Sequence, residues 1–125
     1  MGNTIWFDIQ GRDAANIPAD NSIMLRLEKP LVKLSVKLKV PKLSSFYAYE
    51  AGWFQKWRWF NPSDALKAVQ AIHDHLERNP NDLDFKVTES RKHWPEGLMK
   101  ELIACRATLE GAAAAGKKFR FLIVA

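Results

Sequence analysis

The side chains best suited to chemistry in this sequence are two histidines and a glutamate. His73 and His75 lie two residues apart, so on a helix they point in different directions and form a poor metal-binding pair. His73 and Glu77 have the i, i+4 spacing that brings side chains together, but two ligands do not complete a metal site. We therefore expect these residues at the protein surface and predict no metal.

The single cysteine, Cys105, lies on the apolar stripe of a predicted helix. A buried thiol is inert as a nucleophile, because an apolar environment disfavours the thiolate. One cysteine also allows no disulfide within the chain. The six glycines are scattered and form no phosphate-binding loop. The sequence therefore predicts no catalytic residue and no cofactor, and an enzyme assembled from scattered carboxylates or histidines is a minor alternative.

The aromatic residues are concentrated in one segment, residues 46–60. This aromatic segment holds eight of the fourteen Phe, Trp and Tyr residues of the chain, with Lys56 and Arg58 between them. In one interpretation the segment folds over a sheet and completes the core, and Trp59-Phe60 then packs on the following helix as a hydrophobic staple.

Two binding interpretations compete with that structural one. Trp, Tyr and Arg are enriched at the hot spots of protein interfaces, and a patch for a protein partner would consist of Tyr47, Tyr49, Trp53, Trp57 and Arg58. Alternatively, aromatic rings interleaved with basic residues could stack on bases. A lysine row without intervening acids could then follow a nucleic-acid backbone: Lys29, Lys33, Lys37, Lys39 and Lys42.

Length and composition predict one globular domain over residues 1–125. No stretch approaches 18 apolar residues, and Asp8 interrupts the N-terminal stretch where a signal peptide would be apolar. These features predict a cytoplasmic protein that does not associate with membranes. The net charge of +5 is compatible with an acidic protein partner or with nucleic acid.

The elements that must position these residues are indicated by capping signals and periodicity. A helix is predicted over Pro62–Arg78, since Asn61 is a good N-cap and Pro62 suits the first helical position. A second helix is predicted over Pro95–Ala115, ending at Gly116. Alternating apolar residues predict strands over Thr4–Gln10, Leu83–Val87 and Phe119–Val124, and the last of these is apolar on both faces, as in a central strand.

Residues 31–40 are ambiguous, because Val32, Leu34, Val36, Leu38 and Val40 alternate with polar residues. This alternation predicts a strand. A helix with Pro30 at its first position would instead align Leu31, Leu34 and Leu38.

Two stretches, LVKLSVKLKVPKLSSF and WFNPSDALKAV, resemble a pattern of small uncharacterised bacterial proteins. Those proteins carry LxxLxxxLGVxxLSSF followed by WF(D/N)PxxxLxxV, and this chain has Lys39 where the pattern has glycine. The resemblance implies a helix over Leu31–Lys39 and brings no known activity with it. Some bacterial proteins of this size are immunity proteins for secreted toxins, which is an analogy of size and type alone.

We therefore predict an α+β fold, with a small antiparallel or mixed sheet packed by two or three helices. The predicted core is Phe7, Leu34, Leu38, Leu66, Val69, Ile72, Leu102, Leu109, Phe121 and Ile123. The leading functional hypothesis is a non-catalytic protein-binding module, with an immunity-type inhibitor as its most specific form. Weak nucleic-acid binding through the lysine row is the alternative.

Overall fold

A computed structural model of the chain describes residues 4–11, 21–49 and 58–124. The elements in chain order are β1 (Thr4–Ile9), α1 (Ser22–Arg26), α2 (Glu28–Leu38), β2 (Tyr47–Tyr49), α3 (Pro62–Arg78), α4 (Trp94–Ala114) and β3 (Phe119–Val124). Short 3-10 turns occupy Leu43–Phe46 and Glu89–Arg91. The fold is α+β, as predicted.

The sheet is mixed and has the strand order β1-β3-β2. β1 pairs antiparallel with β3, so that Thr4 lies opposite Val124 and Ile9 opposite Phe119. β2 pairs parallel with β3, with Tyr47 opposite Phe121. The central position predicted for β3 is confirmed, and it explains why this strand is apolar on both faces.

The core lies between one face of the sheet and the helices. Alternate residues of the two long strands supply the sheet side of the core: Ile5, Phe7, Ile9, Phe119, Phe121 and Ile123. The ring of Phe121 is central, with its centroid 5.7 Å from Phe7, 5.1 Å from Phe119 and 6.2 Å from Phe46. Of the predicted core residues, Leu38 and Leu66 are partly buried at its margin, and the others are buried.

Residues 31–40 belong to helix α2 and its C-terminal cap, so the strand predicted from their alternation is wrong and the helix is confirmed. The helix begins at Glu28, so Pro30 is its third residue and not its first, as the sequence had suggested. Leu31 and Leu34 are buried on one side of α2, as a helical stripe requires, while Val36 is exposed. The polar residue Ser35 is tolerated inside because its hydroxyl donates to the carbonyl of Leu31 at 2.8 Å. The alternation does not distinguish the two structures, because Leu31, Leu34 and Leu38 also have the spacing of an apolar stripe on a helix.

Helix α2 ends with Lys39 in the left-handed region, at φ 57°. The amide of Val40 donates to Ser35 O, and that of Lys39 to Val36 O, as in a Schellman motif. The end of α4 has the same two bonds around Gly116, at φ 67°. Lysine therefore holds a conformation that glycine adopts without steric cost.

Lys39→Gly should stabilise the fold by about 0.5–1 kcal/mol. The substitution removes the steric cost of a left-handed residue that has a side chain. The greater entropy of glycine in the unfolded chain offsets part of this gain in stability. Urea unfolding measures the change. Lys42→Gly is the matched control, because Lys42 has an extended backbone with φ −72° and gains no relief. Equal destabilisation by both substitutions would contradict the prediction.

Helix α1 was not predicted, and contacts with distant residues explain its position. The carboxylate of Glu101, in α4, accepts the amides of Ile23 and Met24 at 3.2 and 2.9 Å. These are amides of the first turn, which have no partner inside the helix. Gly97 allows α4 to approach α1 closely, since a Cβ there would lie 2.4 Å from Cδ1 of Ile23.

The remaining boundaries are close to prediction, with one correction. Helix α3 has the predicted bounds, while β1 ends at Ile9 and α4 spans Trp94–Ala114. Residues 83–87 form no strand and instead connect α3 to α4. Both neighbouring edges of β3 are already paired, and Phe85 packs on Trp94 instead. None of the helices in the described ranges is long and apolar enough to cross a membrane.

Candidate binding surfaces

Both ends of the aromatic segment are attached to the sheet. Phe46 is buried, with its ring centroid 5.3 Å from Phe60 and 5.5 Å from Phe119. Tyr47 is half-buried, and its ring lies 6.3 Å from that of Phe121. The rings at the two ends of the segment therefore pack against the core. For these ends, this agrees with the interpretation that the segment folds over the sheet and completes the core.

The chain leaves and rejoins the same edge of β3. It leaves with β2, which ends at Tyr49, and it returns at Phe60, which exchanges two backbone hydrogen bonds with Phe119 at 2.7 and 2.9 Å. Among the predicted partner-binding residues, Arg58 is exposed close to this return point. Trp53 and Trp57 lie outside the described residues.

The face of the sheet opposite the core carries an ion pair. Nε of Arg120 donates to Oδ2 of Asp8 at 2.7 Å, and the two side chains are 11% and 16% exposed. They are directly opposite each other in the β1–β3 register. The Arg120 guanidinium also lies 4.4 Å from the ring centroid of Trp59. We call Asp8, Arg120 and Trp59 the ion-pair cluster, and Trp59 directly follows the exposed Arg58 in the chain.

The ion-pair cluster was missed in the sequence, although Asp8 was a signal. A carboxylate in an otherwise apolar strand requires a partner when it is largely removed from water. The partner lies 112 residues away in the chain. Without knowledge of the β1–β3 register, Arg120 could not be assigned to it.

The lysine row on α2 is partly neutralised by carboxylates. Nζ of Lys33 lies 2.6 Å from Asp84, and Nζ of Lys37 lies 2.6 Å from Asp82. These carboxylates come from the connection between α3 and α4. Because both pairs are exposed, they add little stability, but they reduce the positive potential along the row. A continuous track for a nucleic-acid backbone is therefore poorly supported here.

His73 is a correction, since it was expected at the surface but is only 8% exposed. It lies on the buried side of α3 between Ile72 and Leu76, and its Nδ1 is 3.2 Å from Asp74. The His73–Glu77 pair is long, at 3.9 Å. Within the described ranges, no group of three or more His, Cys, Asp or Glu side chains could hold a metal ion.

Asp82 is the centre of a small charged network, since it contacts both Lys37 and His75. Hydrogen bonds from Lys37 and His75, each 2.6 Å long, hold the pKa of its carboxyl below the ordinary 3.8. A carboxyl group whose pKa is lower in the folded than in the unfolded protein stabilises the fold at pH values above its unfolded pKa. This stabilisation is lost as the pH falls through the pKa of the folded state.

As the pH falls below about 4, the free energy of unfolding should therefore decrease more steeply in the wild type than in Asp82→Asn, which cannot titrate at this position. Urea unfolding at several pH values measures this slope. Glu89→Gln is the control, because the ion pair of this exposed carboxylate within the described ranges is with Lys92. Identical slopes for the wild type and Asp82→Asn would contradict the prediction.

Cys105 is fully buried in α4, as predicted. Burial raises the pKa of its thiol well above the usual range, because the surroundings cannot solvate a thiolate. The thiol is a packing group of the core and is unsuited to nucleophilic chemistry.

A cleft of about 850 Å³ lies between the start of α2 and the start of α4. Trp94 is 8% exposed and forms part of its lining, with the ring of Phe85 stacked at 6.3 Å. The guanidinium carbons of Arg91 and Arg26 lie 4.8 and 5.9 Å from the same indole centroid. We call this the arginine cleft.

The arginine cleft was not predicted. In the sequence, His93 stands beside Lys92 and Trp94 in a predicted loop, and no role was assigned to it. Arg26 reaches Trp94 only because α1 packs against α4, an arrangement with no local sequence signal.

Comparison of the chain with protein-family models, with curated protein sequences and with solved structures found no match in any of the three searches. We therefore infer a function from the geometry of the described residues.

Proposed function

We propose that this chain is a non-catalytic protein-binding module that contacts a protein partner through its aromatic segment. An immunity-type inhibitor is the most specific form of this proposal. The observation that supports it best is the state of two consecutive residues: Arg58 is exposed, and the half-buried ring of Trp59 lies 4.4 Å from the Arg120 guanidinium of the ion-pair cluster. Tryptophan and arginine are among the residues most enriched at interface hot spots.

The attachment of the segment also supports this function. Its ends are joined to the same edge of β3, through Tyr49 on one side and Phe60 on the other. Binding side chains held by a rigid scaffold lose less conformational entropy on association than side chains on a free chain. The described ends of the segment meet this requirement, since both pair with β3.

Electrostatics indicate the character of the partner. The chain has a net charge of +5, and Arg58 adds an exposed guanidinium at the proposed contact. A partner with an acidic surface would associate faster at low ionic strength, because the opposite charges steer the encounter. An acidic protein therefore fits better than a basic one.

The test has two stages. First, tagged protein captures partners from its native cells with and without nuclease, beside Trp53→Ala/Trp57→Ala and Arg58→Ala variants shown to be folded by circular dichroism. Second, the purified candidate partner is titrated calorimetrically against each variant. Arg78→Ala is the matched control, because Arg78 is an exposed arginine at the far end of α3.

We expect a protein partner to be captured in stoichiometric amount, both with and without nuclease. Arg58→Ala should weaken its binding about tenfold, and the double tryptophan variant should weaken it further, while Arg78→Ala stays near the wild-type affinity. A partner bound equally by all variants would refute the proposed surface. Capture of nucleic acid, lost on nuclease treatment, would favour the lysine row instead.

A further inference from the structure

We infer that the arginine cleft binds a phosphate monoester. This binding is independent of the proposed protein-binding function, since the cleft and the aromatic segment are formed by different elements. Three features support it: the two guanidinium groups that share the Trp94 ring, the charges around them and the shape of the cleft.

Contact with the Trp94 ring positions both guanidinium groups for an anion. A guanidinium close to the face of an aromatic ring is attracted by the electrons of the ring, and this attraction uses none of its N–H donors. Arg91 and Arg26 are each held in this way by one buried indole. Because their orientation is already restricted, less side-chain entropy is lost when an anion binds.

The charges around the cleft favour a dianion. Its lining carries three cationic side chains, Arg26, Lys29 and Arg91, and a single carboxylate, Glu28. Neither arginine forms a salt bridge with a carboxylate in the described part of the chain. The nearby Glu89 is paired with Lys92 at 2.9 Å. Guanidinium forks match phosphate oxygens in a bidentate manner, and a phosphate monoester carries close to two charges at neutral pH.

The shape of the cleft leaves room for more than an isolated ion. About 850 Å³ lies within the range of small-ligand sites, and the lining includes the apolar residues Leu27, Pro30 and Phe85. The 21-residue helix α4 begins at Trp94, so its positive end faces the same region and adds to the attraction for a negative group. The phosphate would contact the arginines, and the group that carries it would lie on the apolar lining.

A phosphate monoester could belong to a nucleotide or to a phosphorylated protein side chain, and the probes separate these sources. They are inorganic phosphate, adenosine monophosphate, a phosphoserine peptide and the same peptide without phosphate. Each is titrated at fixed ionic strength into ¹⁵N-labelled full-length protein, with amide shifts followed by NMR. The variants are Arg91→Gln, Arg26→Gln and the matched control Arg78→Gln, which removes an exposed arginine outside the cleft.

We expect saturable shifts at residues 90–97 with at least one phosphorylated probe. Arg91→Gln and Arg26→Gln should each weaken binding about tenfold, as expected for the loss of a charge-assisted hydrogen bond, whereas Arg78→Gln should change it less than about twofold. Tighter binding of adenosine monophosphate or of the phosphopeptide identifies the source. The inference is overturned by an absence of saturable shifts, by an equal effect of Arg78→Gln, or by equal binding of the unphosphorylated peptide.

Discussion

Replacement of Asp8 by Asn should destabilise the protein by about 3 kcal/mol. Asp8 and Arg120 are mostly buried, and Asp8→Asn removes the carboxylate charge that Arg120 pairs with in a poorly solvated site. Breaking a fully buried pair in this way costs about 3–5 kcal/mol, and the slight exposure of the Asp8–Arg120 pair places it at the lower end. Urea unfolding of the wild type and variant measures the difference.

A double-mutant cycle of Asp8→Leu, Arg120→Met and the double variant separates the energy of the ion pair from the cost of burying one charge without the other. Asp8→Leu/Arg120→Met should recover most of the stability lost in Asp8→Leu, because an apolar pair in this position leaves no buried charge. Lys33→Ala is the control, since its ion pair with Asp84 is exposed and should contribute less than about 1 kcal/mol. A loss below about 1 kcal/mol in Asp8→Asn would contradict the prediction.

The same substitution connects stability with the proposed function. If the ion-pair cluster positions Trp59, then Asp8→Asn should weaken partner binding under conditions where the variant is still folded. Arg120 would lose its ion pair with the Asp8 carboxylate, and its guanidinium would then no longer hold the Trp59 ring in place. Unchanged affinity in a folded Asp8→Asn variant would show that the cluster serves the fold alone.

Phe121→Ala should destabilise the protein by about 4 kcal/mol, the largest effect that we expect from a single substitution. Phe121 is completely buried in the central strand, and its ring contacts Phe7, Phe46 and Phe119. Truncation removes the transfer free energy of the ring and leaves a cavity that the sheet and helices cannot fill by small shifts. Thermal and urea unfolding measure the loss.

Phe121→Leu provides a milder variant if Phe121→Ala does not fold. It keeps an apolar group of intermediate volume, so its cost should be smaller and its fold retained. Ile103→Ala is the surface control, because Ile103 is 54% exposed on α4. A cost below about 2 kcal/mol for Phe121→Ala would mean that the neighbouring rings close the cavity.

Local sequence was sufficient for the elements whose signals lie within a few residues. Helix α3 has its predicted bounds because Asn61 caps it through its side chain, which accepts the Ser63 amide at 3.0 Å. The apolar face of α3 follows the helical period. β1 and β3 were also predicted, since alternation identifies the buried face of a strand without reference to its partner.

The sequence pattern failed for α2 because two periodicities overlapped. Residues 31–40 alternate like a strand and also contain a helical stripe. The decisive contribution is burial, since Leu31, Leu34 and the hydrogen-bonded Ser35 all face the core of the folded protein. Tertiary packing, together with the left-handed Lys39 that ends the helix, selects the conformation.

The candidate sites depended almost completely on tertiary structure. The aromatic segment was recognisable from composition, but the attachment of its ends to β3 required the sheet order. Glu101 reaches the start of α1 across 77 residues of sequence, and Arg120 reaches Asp8 across 112. Short-range signals such as caps and periodicity specify single elements, because their energies come from neighbouring residues. The arginine cleft and the ion-pair cluster arise from contacts between distant elements, and those contacts exist only after the chain has folded.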